Sequence, residues 1–407
     1  MNIFIFEYLT GGGFINDKLP PSLVCEGAAM LLTLIKGLNP DFDVKILLDY
    51  RLAGYKEFFK NISPKIIKNT SDFNENFKDY INNSDYYLII APEFNNILRD
   101  LTLEAENSSA INLGCNSYSI EKTGNKFETF KKLFHLKKYL PATLKANHSN
   151  AKISEIYKFC KDLGYPVVFK PIDGVGGGGI SLIRNKDEIN PGIKKIKINS
   201  NENEFIIQEY IKGNDVSVSL FIDNNVIHPL TLNGQLITLG DITNETKYNG
   251  GYIPFNNRDF NHDDIFKIAI DCVSSITGLN GYVGIDFVIG EKPSIIEINP
   301  RLTTSYIGVR ELLKSDLYTQ KIIGTIIKPE IDTHKNVYFT RLELRNVHHR
   351  IIEKSEFNKL ILSNLITPFF KFKDNYSGFI LLKSKSFKKN LKKLTRIKNF
   401  ILKNKIN

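Results

Sequence analysis

Hydrophobic residues recur along this chain in two periods. Short unbroken or alternating runs mark strands, and steps of three and four residues mark helices. Residues 2–8 read NIFIFEY, a buried first strand, followed by a glycine turn at Gly11-Gly12-Gly13. Residues 22–38 have helical spacing, with Leu23, Ala28, Leu31, Leu32 and Ile35 on one side. Val44–Leu48 and Tyr86–Pro92 read as further strands. Strand and helix alternate at α/β spacing, so a small open parallel sheet is expected for 1–115. From about 116 to 330 the pattern becomes α+β. Helices are expected over 121–139, 152–163 and 261–277. Strands are expected to pair as hairpins, 167–170 with 180–183, 205–209 with 216–222, and 283–289 with 294–298. A smaller module, 331–382, contains the strand-like run Val337–Leu344, and a tail, 383–407, closes the chain.

Polar residues interrupt the last of these hairpins in an informative way. Gly281 to Arg301 reads GYVGIDFVIGEKPSIIEINPR, two apolar strands around a turn at Gly290-Glu291-Lys292-Pro293. Side chains alternate faces along a strand, which puts Glu297, Asn299 and Arg301 on one face and Ile296 and Ile298 on the other. A hairpin centred on Glu291/Lys292 sets Asp286 opposite Glu297. Two carboxylates so placed repel at Cβ separations of about 4.5–5.5 Å and require a cation. Two carboxylates and an amide oxygen are hard ligands suited to Mg²⁺, and the Arg beyond them suits a phosphate.

A second pattern is Pro166-Val167-Val168-Phe169-Lys170-Pro171, then five glycines within Gly174–Gly179. Gly174, Gly176 and Gly179 formally match a dinucleotide fingerprint, but that motif requires a helix next. Here Ile180–Ile183 is a strand, so the glycines form a flap whose backbone N–H groups can fold over phosphates. Lys170 supplies a point charge at its base. In Gln208-Glu209-Tyr210-Ile211, backbone groups at 209–211 are placed to read an adenine edge, and Asp215 to accept from ribose hydroxyls. An ordinary strand and turn explains the same residues. Lys126 stands near a helix start, and Lys247 precedes Gly250-Gly251. His348-His349 lacks the spacing of a metal motif.

Composition changes this picture little, except at the end of the chain. The 407 residues, 42% hydrophobic, fit a globular protein of two or three domains. Four scattered cysteines without CxxC spacing and the lack of a leader or long apolar run lead to the expectation of a reducing, cytoplasmic setting. The net charge of +10 belongs to the tail: Asn375–Asn407 has ten basic residues and no acid, and the remainder is balanced at 44 of each. No specific nucleic-acid partner is therefore expected of the body. Ser386–Ile406 reads as a basic amphipathic helix. It either offers that face to an anionic surface or acidic partner, or packs its apolar stripe on the body.

Lys126, Lys170 with its glycine flap, Gln208–Ile211, Asp286 and Glu297-Ile298-Asn299-Pro300-Arg301 occur in an order that resembles the ATP-grasp superfamily of carboxylate–amine ligases. Phe6-Glu7-Tyr8, Ala91-Pro92-Glu93, Asn112-Leu113-Gly114-Cys115 and Leu279–Gly284 extend the resemblance to ligases that join L-glutamate to tyramine or tyrosine in methanofuran-type cofactor biosynthesis. The resemblance implies a Rossmann-like pre-ATP-grasp domain followed by two α+β subdomains that clasp ATP. It implies ATP contacts from Lys126, Lys170, Gly176, Gly177, Gly178, Gln208, Glu209, Tyr210, Ile211 and Asp215. Two Mg²⁺ (or Mn²⁺) ions fall to Asp286, Glu297 and Asn299, and catalysis to Arg301 and Lys170. Lys247, Thr303 and Ser305 are assigned to the substrate side. Small-molecule partners, an amino acid and an amine, follow from the same resemblance, and a homodimer is left open.

Overall fold

The computed structural model describes residues 1–59, 62–149, 152–174, 176–257, 260–324, 326, 328–345, 355–373 and 375–404. His348-His349 lies outside them. The first unit is a parallel sheet of β1 (Asn2–Glu7), β2 (Asp43–Lys45), β5 (Tyr86–Ile90) and β6 (Ile111–Asn112), in the order β2-β1-β5-β6. The run expected over 44–48 breaks at Ile46: β3 (Leu47–Asp49) pairs separately with β4 (Lys65–Ile67). The helix Pro21–Gly37 buries Val24, Ala28, Leu31 and Leu34.

A second sheet is antiparallel, in the order β7-β10-β8-β9, from β7 (Thr143–Asn147), β8 (Val167–Pro171), β9 (Ser181–Ile183) and β10 (Glu204–Glu209). The hairpin expected between 205–209 and 216–222 does not form. Residues 204–209 sit between β7 and β8, whose partners satisfy both edges. The chain then leaves through Gly213, and 214–223 pairs in a different sheet. The helix expected over 121–139 is likewise broken. Asn125 ends one helix (Ser117–Gly124) and caps the next (Lys126–Lys132), accepting from the Phe127 and Glu128 amides.

The third sheet has eight antiparallel strands: β11 (Asn214–Asp223), β12 (Val226–Thr238), β13 (Lys247–Ile253), β14 (Gly281–Ile289), β15 (Pro293–Asn299), β16 (Asn336–Leu344), β17 (Phe370–Phe372) and β18 (Asn375–Ser384). Their order is β15-β14-β11-β12-β13-β16-β18-β17. Residues beyond 335 therefore extend the same sheet through β13–β16 pairing rather than building a sheet of their own. One core joins this extension to the first unit, with Val337, Phe339, Phe379 and Leu381 packed among Leu31, Leu34 and Leu313.

The basic tail folds as the helix Phe387–Lys403, capped by Ser386. Leu394, Ile397, Phe400 and Ile401 pack with Tyr338, Leu342, Ile380 and Leu382, so its apolar stripe is spent on the protein. Most of that stripe is closed to a membrane while the helix is docked; the lysine face, with Leu391 and Leu402, remains exposed. No helix among the described residues is long and apolar enough to cross a membrane.

Candidate active site

A cavity of about 480 Å³ opens between the second and third sheets and is closed on one side by the first unit. Its polar end is the β14–β15 hairpin. The turn is a three-residue loop, because Ile289 pairs with Pro293, and so is centred on Glu291. A regular ladder from that turn would set Asp286 against Ile296. A bulge intervenes: Phe287 pairs with Ile295, but Asp286 pairs with Glu297. The expected carboxylate pair thus forms, and an inserted residue produces it. The same insertion turns Ile296 toward the cavity, against the alternation expected from sequence, while Ile295 and Ile298 enter the core.

Charges around the pair are closely matched. Lys126 places Nζ 3.1 Å from Glu297 Oε2 and donates to the Gly174 carbonyl at 2.6 Å. Lys170 Nζ donates to Gln208 Oε1 at 2.7 Å. Asp286 accepts from Gln235 Nε2 at 3.0 Å and Asn299 Nδ2 at 3.1 Å. Burial, and then the charge of Glu297, push the Asp286 carboxyl up. Burial opposes ionisation of Glu297 too, but Lys126, Lys170 and Arg301 outweigh it and hold this carboxyl low. The two acids thus differ in which neighbours they face, cations for Glu297 and a like charge for Asp286. Arg301 Nη2 donates to Glu93 Oε2 at 2.8 Å. Arg301 Nε and Glu93 Oε1 are buried without a partner among the described residues.

The flap spans Gly174–Gly179 between β8 and β9. Gly177 has φ +81° and packs so closely that a Cβ there would sit 2.7 Å from Thr246 Cγ2. Gly176 and Gly177 line the cavity; Gly178 is not among its lining residues. Lys195, absent from the sequence reading, secures this region by donating to the carbonyls of Ile180, Asp241 and Asn244 at 2.8–3.1 Å. Gln208, Glu209, Tyr210, Ile211 and Asp215 all reach the cavity, beside an apolar wall of Ile237, Leu239, Phe287 and Ile296. The Glu209 side chain accepts from the Ala142 amide at 3.1 Å. Burial pushes the Asp215 carboxyl up to about 6, against the pull of Lys170.

Thr303 and Ser305 also line the cavity. Lys247 does not: it is exposed, because alternation along β13 turns Thr246 and Tyr248 inward and Lys247 outward. Gln235 and Glu93 were legible only weakly. Glu93 carries a signal in its place after the apolar run Tyr86–Pro92, whereas nothing local marks Gln235. Among the described residues no three His, Cys, Asp or Glu side chains converge on one point, so any cation here depends on the Asn299 amide as well as the two acids.

Burial pushes the Lys170 ammonium down to about 8, with Glu297 opposing the shift. A lysine that loses its proton near pH 8 loses its attraction for phosphate above it. Affinity for a phosphate-bearing ligand at Lys170 is therefore expected to weaken by about tenfold as pH rises from 7 to 9, the size of one charge-assisted hydrogen bond. Calorimetric titrations across that range check it. Lys170→Met should bind weakly throughout and flatten the profile.

A lysine-flanked glycine flap over one sheet, facing acids and an arginine on another, is the arrangement of a nucleotide clasp. Residues 123–305 match the ATP-grasp domain family, and residues 43–120 match a pre-ATP-grasp domain. The chain belongs to the ATP-grasp ligases. It is 32% identical over 310 residues to the tyramine–L-glutamate ligase of Methanocaldococcus fervens, covering 76% of this chain and 89% of that one. To the enzyme of the same name from Methanocaldococcus jannaschii it is 33% identical over 312 residues, covering 76% and 84%. The fold is shared with N5-carboxyaminoimidazole synthetase from Staphylococcus aureus, at a TM-score of 0.69, 16% identity and 97% and 96% coverage. It is shared too with an ATP-grasp superfamily protein from Archaeoglobus fulgidus, at a TM-score of 0.62, 23% identity and 94% and 99% coverage. The protein is an ATP-dependent carboxylate–amine ligase that forms an amide bond.

Proposed function

We propose that this ligase joins L-glutamate to tyramine or tyrosine through an acylphosphate, as a step in methanofuran-type cofactor biosynthesis. The observation that carries the reading is the cross-strand pair Asp286–Glu297 with Arg301 beyond it, in a chain one-third identical to two tyramine–L-glutamate ligases. Lys126 and Lys170 hold the nucleotide phosphates, and Gly176 and Gly177 lay their amides over them. Glu209 to Ile211 border the adenine, and Asp215 accepts from the ribose.

Asp286, Glu297 and Asn299 would hold two Mg²⁺ ions. The fit rests on the donor set: two half-buried carboxylates side by side, one pushed toward protonation by burial and by the other, plus an amide oxygen available once Asn299 turns. The chemistry such ions would supply when bound is neutralisation of phosphate charge. Arg301, placed at the same end, steadies the transferred phosphoryl group while the substrate carboxylate attacks it. The amine then attacks the acyl carbon, and phosphate leaves. The flap excludes water from an acylphosphate that hydrolyses readily.

The expected result is ADP release only when ATP, L-glutamate and the aromatic amine are all present, with the amide product seen by mass spectrometry. A chelator should abolish it. ADP release with a single acceptor and a stable phosphoester product would instead mark a kinase.

A further inference from the structure

The helix Pro21–Gly37 supplies a cavity wall beside the flap tip, where a Cβ on Gly176 would sit 3.8 Å from Leu23 Cδ2, and its one acid, Glu26, is given no part in handling ATP. Leu23, Glu26 and Met30 all line the cavity. Steps of three and four residues place them on one helix face, a single carboxylate between two apolar side chains. Three carboxyls approach this end, and two are engaged. Glu7 accepts from Thr10 N at 2.7 Å, Thr10 Oγ1 at 2.6 Å and Leu9 N at 3.2 Å. Glu93 pairs with Arg301. Glu26 has one hydrogen bond among the described residues, a long one of 3.3 Å from Thr304 Oγ1. Glu26 lines the cavity and feels the charge of Arg341, whose guanidinium pairs with Glu343 at 2.9 Å.

A second orphan lies nearby. The Tyr248 hydroxyl is buried and makes no hydrogen bond of normal geometry, although Ser305 is beside it. Burial pushes the Tyr248 phenol well up, and the charge of Glu26, close by, adds to the shift. A spare carboxylate and an unsatisfied hydroxyl, both acceptors, call for a compact group with several donors. A primary ammonium has three donors and no acceptor. The neighbouring Leu23 and Met30 suit an apolar body attached to it.

We propose that Glu26, with Tyr248, receives the ammonium of the amine substrate, and that this pair selects an amine without a carboxylate, tyramine rather than tyrosine. The inference rests on the ligase reading above. Tyrosine carries a carboxylate on the carbon that bears its amine, and this would lie against Glu26 in a water-poor pocket. The cations that act on Glu26, Arg341 and then Arg301, are already paired with Glu343 and Glu93. The same repulsion argues against the α-ammonium of glutamate as occupant, and glutamate has no apolar body for Leu23 and Met30.

The test is coupled ADP release with L-glutamate and either tyramine or tyrosine, for the native chain, Glu26→Gln and Glu26→Asp, with melting curves alongside. The native enzyme should favour tyramine in kcat/KM by about 10- to 100-fold. Glu26→Gln should lose most of that preference, chiefly through a higher KM for tyramine, with KM for ATP unchanged. Glu26→Asp, which keeps the charge, should retain it even if its melting temperature falls. Equal use of the two amines by the native enzyme, or an unmoved ratio in Glu26→Gln, overturns the role of Glu26 while leaving the ligase reading intact. ADP release with neither amine overturns that reading, and the inference with it.

Discussion

Glu297→Gln is expected to lower ATP-driven amide formation by about 10²–10³-fold, the scale seen when one preorganised electrostatic group is removed from an active site. Glu297 is the member of the acid pair that faces cations, with Lys126 at 3.1 Å. Its loss removes a proposed metal donor and leaves Lys126 short of its anionic partner. The variant should therefore also melt at a lower temperature than the native chain. Asp286→Asn offers the contrast. It should lose activity to a similar degree, yet its stability in the absence of metal should be unchanged or higher. The sign follows from the direction of the shift. Burial and Glu297 raise the Asp286 carboxyl in the folded state, so its ionised form opposes folding. The advantage of Asn should be absent in acid, where Asp286 is protonated in both states, and should grow as pH rises. Melting curves with a chelator across that range, beside ADP-release rates, check both halves. Equal destabilisation by the two variants would contradict the division of roles.

Arg301→Met should reduce turnover by about 10²–10³-fold and also cost about 3–5 kcal/mol of stability, because Glu93 is left buried and unpaired. The side chains of Arg301 and Glu93 are only 14% and 7% exposed, so water cannot screen the orphaned charge. Arg301→Met combined with Glu93→Gln should recover most of the stability and none of the activity. Arg301→Lys should stabilise better than Met but remain slow, since an ammonium cannot reproduce the planar fork. ATP binding should survive in all three, because the proposed phosphate contacts, Lys126, Lys170 and the flap, are untouched. A double variant as active as the native chain would show that Arg301 only balances Glu93.

The carboxylate pair was legible in sequence for a partly mistaken reason. The turn is centred half a residue from the expected position, and the Ile296 bulge moves the register back. Bulges leave no reliable mark in a run such as PSIIEIN, since the inserted residue is as apolar as its neighbours. The flap, Lys170 and Arg301 were legible because glycine clusters and charges at strand ends are costly without a purpose. Lys247 illustrates the opposite case. Its place before Gly250-Gly251 was noted, but that it lies on a strand, and which side of β13 meets the cavity, depend on the sheets packed against it.

Sequence alone marked the first strands and helices, the glycine flap and the run of acids, amide and arginine at the β14–β15 hairpin. These are local matters: periodicity, backbone freedom and the cost of burying charge. Tertiary structure decided the partners. Lys126 meets Glu297 across 171 residues and Arg301 meets Glu93 across 208, and Glu26 reaches the cavity from a helix in another unit. It also joined residues beyond 335 to the main sheet and turned the tail's apolar stripe inward. Such pairings depend on how sheets stack and which edges remain open, and no stretch of the chain carries that information by itself.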